Sequence, residues 1–325
     1  FAECQNEPLS DVPDDDLALT ADHIMRKLNG YASGTVPGEA TRITAGIDVQ
    51  GRALFYAVIA WDDAMTGWVL DYGVFPKQRT KAYTYASLKR TLRTVTELTS
   101  TPAAVYRGLE LLTDELLAKS WPVDGGGEMA VERCIVDAGW SADTVYQFAR
   151  QSQHRPVLLP YHGRGITASS KPLNDYTKKP GDRIGTHWRI PRNTGTRPVR
   201  HVLVDANWWK TALCERLAVP MGEQSTLSLP GRNLEAHRVL AEHITSEYRV
   251  RTEGRGRQVD EWKLHAKGRD NHLFDACVMA MVAASVQGSQ LDGLEAARPR
   301  RRKGARALKP SERQAMKRAK RMGAA

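Results

Sequence analysis

A chain of 325 residues, 41% of them apolar, is long enough to bury one large core or two smaller ones. Its longest nearly uninterrupted apolar run, 276–284, is too short to span a bilayer, and its acidic start lacks the basic region of a signal peptide; no membrane-spanning helix and a cytoplasmic protein are expected. The net charge is +10, yet residues 298–325 hold twelve Lys or Arg against Glu312 alone, so the tail carries the entire basic excess.

Residues 1–40 are acidic, with Asp11, Asp14, Asp15, Asp16 and Asp22, and rich in turn formers; they read as a linker with one short helix over 17–28. Three strand-like runs follow, 42–49, 53–61 and 68–75. Q-G-R and D-D-A-M-T-G separate them, which suits the turns of an antiparallel meander. Helical spacing occupies 82–98 and again 101–119. E-R-C-I-V-D-A-G at 132–139 reads as a buried strand, Ser141 as the cap of a helix running to Arg150, and 156–160 as a fifth strand. Residues 161–198 are loop-like, basic and rich in Gly, Pro and Thr. H-V-L-V-D at 201–205 resumes strand character and leads into a helix over 207–217, and 247–251 with 259–264 flank a basic turn as a hairpin. The last element is a helix begun near Asp270 and apolar on most faces, hence buried. The order is three strands, helix, strand, helix, strand, insertion, helix. That is the order of a ribonuclease H-like α/β fold, a mixed sheet with helices on both faces, here with an inserted loop and hairpin region. Residues 41–290 form the expected domain and 291–325 a basic, disordered tail, either solvated or drawn to phosphate.

Cys4, Cys134, Cys214 and Cys277 are far apart and form no C-x-x-C pair, so they read as reduced thiols rather than a zinc cluster or disulfide framework.

Three carboxylates carry the chemistry. Asp48 sits late in the first strand, Asp137 ends the fourth, and Asp275 lies on the last helix between Phe274 and an apolar stretch. If the first and fourth strands are parallel neighbours, their carboxyl ends share an edge, and a helix packed there adds the third acid. Three such groups together repel one another unless a cation sits among them, and oxygen ligands point to Mg2+ or Mn2+. Two ions about 3.5 to 4 Å apart would activate water for in-line attack on phosphorus and stabilise the leaving oxygen. Taken singly, Asp48 and Asp137 also read as strand-end residues. His272, three residues before Asp275, is either an auxiliary ligand or a helix-start histidine bonded to backbone. Asp205 is either a fourth ligand or the cap of the helix that follows it. Trp208 and Trp209 read as core residues, with base stacking the other reading.

G-I-D-V-Q at 46–50, I-V-D-A-G at 135–139, A-N-W-W-K-T-A-L-C-E-R-L at 206–217 and N-H-L-F-D-A-C at 271–277 together resemble the C-terminal nuclease domain of large terminase subunits of lambda-like tailed bacteriophages. The resemblance spans roughly 40–288, and the opening F-A-E-C-Q-N-E-P looks like the end of the ATPase domain that precedes such nucleases. It implies a ribonuclease H-like endonuclease that cuts concatemeric double-stranded viral DNA, with Asp48, Asp137 and Asp275 as its acidic triad. It further implies a portal or procapsid and a small terminase subunit as partners, in the host cytoplasm and transiently at the procapsid. No G-x-x-x-x-G-K-[S/T] motif occurs, so ATP hydrolysis by that mechanism is not expected of this chain.

DNA contact in such an enzyme falls mainly on phosphates. The candidate region comprises Lys178, Lys179 and Arg183 in the long loop, with Arg251, Arg255, Arg257, Lys263, Lys267 and Arg269 around the late hairpin. Two other functions fit the same residues: a junction resolvase or transposase-like nuclease, and a noncatalytic module that docks on DNA or a portal through its tail.

Overall fold

The computed structural model describes residues 19–192, 199–265 and 269–291, and those up to Gln290 belong to one compact unit. Its centre is strand β1 (Arg42–Val49), whose alternation decides both faces of the sheet. Ile43, Ala45, Ile47 and Val49 belong to one core cluster, with Ala104, Val105, Leu109 and Leu112 of helix α3 (Thr101–Leu117) and Val145 and Phe148 of helix α4 (Ala142–Gln151). The intervening Thr44, Gly46 and Asp48 point the other way, because side chains alternate along a strand. There they meet the apolar helix α7 (His272–Gln287).

Strands β2 (Leu54–Trp61) and β3 (Gly67–Phe75) complete the antiparallel meander, the first of them pairing with β1 from Arg42↔Trp61 to Val49↔Leu54. On the other side β1 lies parallel to β4 (Val131–Asp137), which lies parallel to β5 (Leu158–Arg164). The insertion supplies β6 (Arg183–Gly185) and β7 (Trp188–Ile190), an antiparallel pair beside β8 (Val202–Asp205). A short strand β9 (Leu227–Ser228) pairs parallel with β3. The nine-stranded sheet thus runs β9-β3-β2-β1-β4-β5-β8-β7-β6, and its core β3-β2-β1-β4-β5 has the order and directions of the expected ribonuclease H-like arrangement. Helix α5 (Ala206–Ala218) follows β8 directly, and the hairpin β10 (Glu247–Gly254) with β11 (Arg257–Leu264) packs against it as a separate two-stranded sheet.

Three segments depart from the sequence reading. The helix expected over 82–98 shrinks to α2 (Leu92–Thr96), capped by the reciprocal Thr91 and Thr94 bonds. Before it the chain is irregular: Arg52 donates to the carbonyls of Tyr85, Ala86 and Leu88, and Gln78 holds Lys89 and Arg90. Tertiary hydrogen bonds outweigh weak helical spacing there. The leading segment packs on the domain from helix α1 (Ala21–Met25) onward, against α6 (Arg238–Ile244). Ile24, Met25 and Val36 are fully buried, and Leu28 and Val36 bridge to Leu229 and Val123. Within the loop expected over 161–198, residues 183–190 add sheet, β6 and β7 being too short to give a periodic signal. The tail and Cys4 lie outside the described residues. Cys134, Cys214 and Cys277 are buried free thiols, and among the described residues no helix is long and apolar enough to cross a membrane.

Candidate active site

The site follows from one close approach. A Cβ placed on Gly46 would lie 2.1 Å from the Ala276 carbonyl oxygen and 2.8 Å from the Ala280 nitrogen, so helix α7 rests on the bare backbone of β1. Thr44 locks the contact by donating to the Ala280 carbonyl at 2.7 Å while accepting from the Trp61 indole at 2.8 Å. Because α7 lies this near, Asp275, one residue before Ala276, comes to the carboxyl end of β1. Asp48 and Asp137 each sit one residue beyond the last paired couple of their strands, Ile47↔Val136, and so end side by side.

The charges feel one another. Burial and then the neighbouring charge of Asp48, with a smaller push from Asp275, raise the Asp137 carboxyl to about 7, against its bonds from the backbone N–H groups of Gly139 and Ala138. Asp275 is raised by burial and by Asp48 against the opposing charge of Lys210. Tyr161, paired with Asp137 across β4 and β5, is pushed well up by burial and then by Asp275, Asp137, Asp205 and Asp48, so its hydroxyl stays protonated among them.

Nitrogen donors occupy much of this oxygen set. His272 Nδ1 stands 2.9 Å from Asp48 Oδ2, and the Gln50 amide donates to the same carboxylate at 3.0 and 3.3 Å. Burial works against the charged form of His272, but its bond to Asp48 and the surrounding acids outweigh that and raise its pKa. Its ring stacks on Phe55 with centroids 4.5 Å apart. The Lys210 ammonium, buried, donates to both oxygens of Glu247 at 2.6 and 2.8 Å and lies 3.0 Å from Asp275 Oδ1. The Asn271 amide bridges Glu247 at 2.5 Å and Asp275 at 3.0 Å. Among the described residues no three His, Cys, Asp or Glu side chains form a ready cage for a cation. The donor chemistry nevertheless suits a hard cation: three carboxylates come to one edge, and burial first, then their mutual charge, raises Asp137 and Asp275.

Asp205 caps helix α5, accepting from the Trp208 N–H at 3.2 Å, and lies 3.6 Å from His187 Nδ1. With Trp208, Arg251, Arg257 and Asp260 it lines a cavity of about 640 Å3 that Asp48, Asp137 and Asp275 do not line. Trp209 is fully buried, whereas Trp208 is half-buried and stacks on His187 at 4.3 Å.

The family described as terminase large subunit gpA, endonuclease domain, matches residues 12–296. The chain belongs to that family. The nuclease domain of the large terminase subunit gp2 of bacterial virus Sf6, solved as a lysine-to-alanine mutant with manganese, has 14% sequence identity to it at a TM-score of 0.44, covering 81% of this chain and 98% of that one. No curated protein matches the chain. The family makes this a phage packaging nuclease domain, with DNA as the substrate its description implies.

The basic residues proposed to meet terminase DNA divide into groups. Lys178, Lys179, Arg255, Lys263 and Arg269 are exposed, as is Arg251, which lies 3.5 Å from Asp260. Arg257 donates to the carbonyls of Ala168, at 2.9 Å, and Ser170, pinning that loop to the hairpin. Arg183 donates to the Val286 carbonyl at the far end of α7 from Asp275. Lys267 lies outside the described residues. Sequence reasoning missed Lys210, Glu247, Asn271 and Tyr161. A lysine on the core-facing side of A-N-W-W-K-T-A-L was the available signal, since a buried cation requires a partner.

Proposed function

We propose that this domain cuts concatemeric double-stranded DNA by divalent-cation-dependent hydrolysis of a phosphodiester, with Asp48, Asp137 and Asp275 holding the cation or pair of cations. The reading rests on one observation: α7 lies against the bare backbone of Gly46, which brings a helix carboxylate to the shared edge of two parallel strands that end in carboxylates. Mg2+ or Mn2+ bound there would polarise the scissile phosphate and lower the pKa of an attacking water. Asp48 is fixed by a rigid central strand and oriented by His272 and Gln50. Lys210, itself held by Glu247, offsets part of the cost of a charge on the buried Asp275. The Tyr161 hydroxyl remains a proton donor within the cluster. The exposed Lys178 and Lys179 with the late hairpin would grip backbone phosphates, as a nuclease of low sequence preference requires.

We further propose residues 41–290 as the nuclease, with the leading segment from Ala21 packed on it. The basic tail after 290 would be a DNA or procapsid contact, in the host cytoplasm. Supercoiled plasmid incubated with Mn2+ should be nicked and linearised, EDTA should stop the reaction, and Asp48→Asn should abolish it while leaving circular dichroism unchanged. Cutting by the Asp48→Asn protein at the wild-type rate would overturn the assignment, and DNA binding without any scission would favour the noncatalytic docking module. Preference for four-way junctions over linear duplex would point to a resolvase.

A further inference from the structure

A second cluster of charge stands at the other end of the parallel strands. Arg133, Arg150, Arg155, Arg183, Arg192 and Arg200 line one cavity of about 530 Å3, and among the described residues no acid lines it. They come from separate parts of the chain: β4, the end of α4, the turn before β5, β6, and the segments after β7 and before β8. Among the described residues none of the six forms an ion pair. Leu158, Ile190 and Val286 supply an apolar floor.

Two of the guanidinium groups are held in position. Arg133 donates to the carbonyls of Pro156 at 2.9 Å and Val157 at 3.3 Å and to Gln287, and Arg183 donates to the Val286 carbonyl. Burial, then the nearby charge of Arg183 and a smaller push from Arg200, hold the Arg133 pKa below its ordinary value against the opposing pulls of Cys134 and Glu132. The pocket is separate from the carboxylate edge. Arg133 and Asp137 lie four residues apart on one strand, about 13 Å at roughly 3.3 Å per residue. Val286 and Asp275 are eleven residues apart on α7, about 16 Å at 1.5 Å per residue.

Solvated surface arginines need no ligand, but they repel one another and spread out. Arg133 is half-buried and the other five are exposed, yet all six line one concavity whose described lining residues include no acid, an arrangement that favours an anion. Guanidinium forks match phosphate oxygens two at a time. Duplex DNA spreads its charge along a rod, one per about 1.7 Å of axis, and rewards a basic stripe. A pocket whose volume falls within the ~300–1,000 Å3 of small-ligand sites rewards an anion with its charges packed together.

We propose that this pocket binds a compact polyphosphate, either free or as the phosphate chain of a nucleotide, at a site independent of the nuclease carboxylates. Calorimetric titration at low salt without divalent cations should detect tripolyphosphate and ATP binding to the wild-type chain. Arg155→Gln with Arg200→Gln should weaken both at least tenfold while duplex DNA affinity stays within about twofold, and Asp48→Asn should bind both like wild type. Similar affinity for tripolyphosphate and ATP would assign recognition to the phosphates alone; ATP binding at least tenfold tighter would assign it to the nucleotide. Absence of tripolyphosphate binding to wild type, unchanged affinity in the double variant, or an equal loss of duplex affinity would each overturn the proposal. If the double variant loses its near-ultraviolet circular dichroism, Arg150→Gln takes its place, with about threefold weakening expected and no weakening overturning the proposal.

Discussion

The two ends of strand β4 carry opposite chemistry. Arg133 and Asp137 lie on the same face, four residues apart, yet one belongs to a pocket of arginines without acids and the other to a cluster of carboxylates. The carboxylate end is partly neutralised from within: Lys210 rests on Asp275 and His272 on Asp48. At the arginine end Glu132 acts on Arg133 from a distance, but among the described residues none of the six guanidinium groups is ion-paired. At one end nitrogen donors of the protein already contact the carboxylates, so a metal ion proposed there would have to relieve or supplement them, while the other end offers its guanidinium groups to an external anion.

The largest expected effect breaks the carboxylate end at its foundation. Gly46→Val would drive a side chain into the Ala276 carbonyl and the α7 backbone. Overpacking against backbone that cannot move should cost about 4 kcal/mol or more, read as a lower chemical-denaturation midpoint, with loss of cleavage because Asp275 is displaced. Asp48→Asn removes chemistry without removing the fold. Cleavage should fall by on the order of 10^3-fold, or about 4 kcal/mol in activation, with the unfolding midpoint little changed.

These two residues mark how far the sequence could be read. Gly46 and Asp48 both lie in G-I-D-V-Q, and the meander, the two parallel strands and the apolar last helix were legible because each repeats a periodic pattern over several residues. Strands of three residues such as β6 and β7 leave too short a trace to detect. The irregular stretch before α2 is held by distant Arg52 and Gln78, which no local pattern records. The three acids were legible because a charge inside an apolar run demands a reason. Their nitrogen partners were not: Lys210 and Glu247 are 37 residues apart and meet only when α5 and β10 pack beside α7.

Lys210→Met tests the internal neutralisation. It leaves Glu247 and Asp275 without their shared cation, and breaking a buried pair in this way costs roughly 3 kcal/mol at neutral pH. Lowering the pH should recover part of that loss as the stranded carboxyls take up protons, and a double variant that also carries Glu247→Gln should recover some of it at pH 7.

A smaller effect follows from Asp137. Its carboxyl titrates near 7 in the folded chain against an ordinary 3.8, so ionising it opposes folding. The contribution is fully present below about pH 4, is lost as pH rises toward 7, and stays lost above that. Asp137→Asn should therefore be more stable than wild type at pH 8 without metal, by roughly 1–3 kcal/mol after allowing for solvent screening, and equal to it near pH 4. Mn2+ should raise the wild-type melting temperature at pH 8 more than that of the variant. Equal metal responses would separate Asp137 from the cation.

The smallest effect sharpens the contrast between the two kinds of positive charge. Lys178 and Lys179 are exposed and make no ion pair among the described residues, so their charges are available to a duplex. Replacing both with Ala should lower DNA affinity modestly and reduce the slope of log affinity against log salt by about 1.8, two phosphate contacts at roughly 0.9 each. Arg257 differs although it lies in the same basic region, because its guanidinium is committed to the Ala168 and Ser170 carbonyls. Arg257→Ala should loosen that loop and leave the salt slope unchanged. Filter binding across a salt series distinguishes them, and a slope that falls equally for both would mean that exposure and hydrogen bonding do not decide which bases of this domain meet DNA.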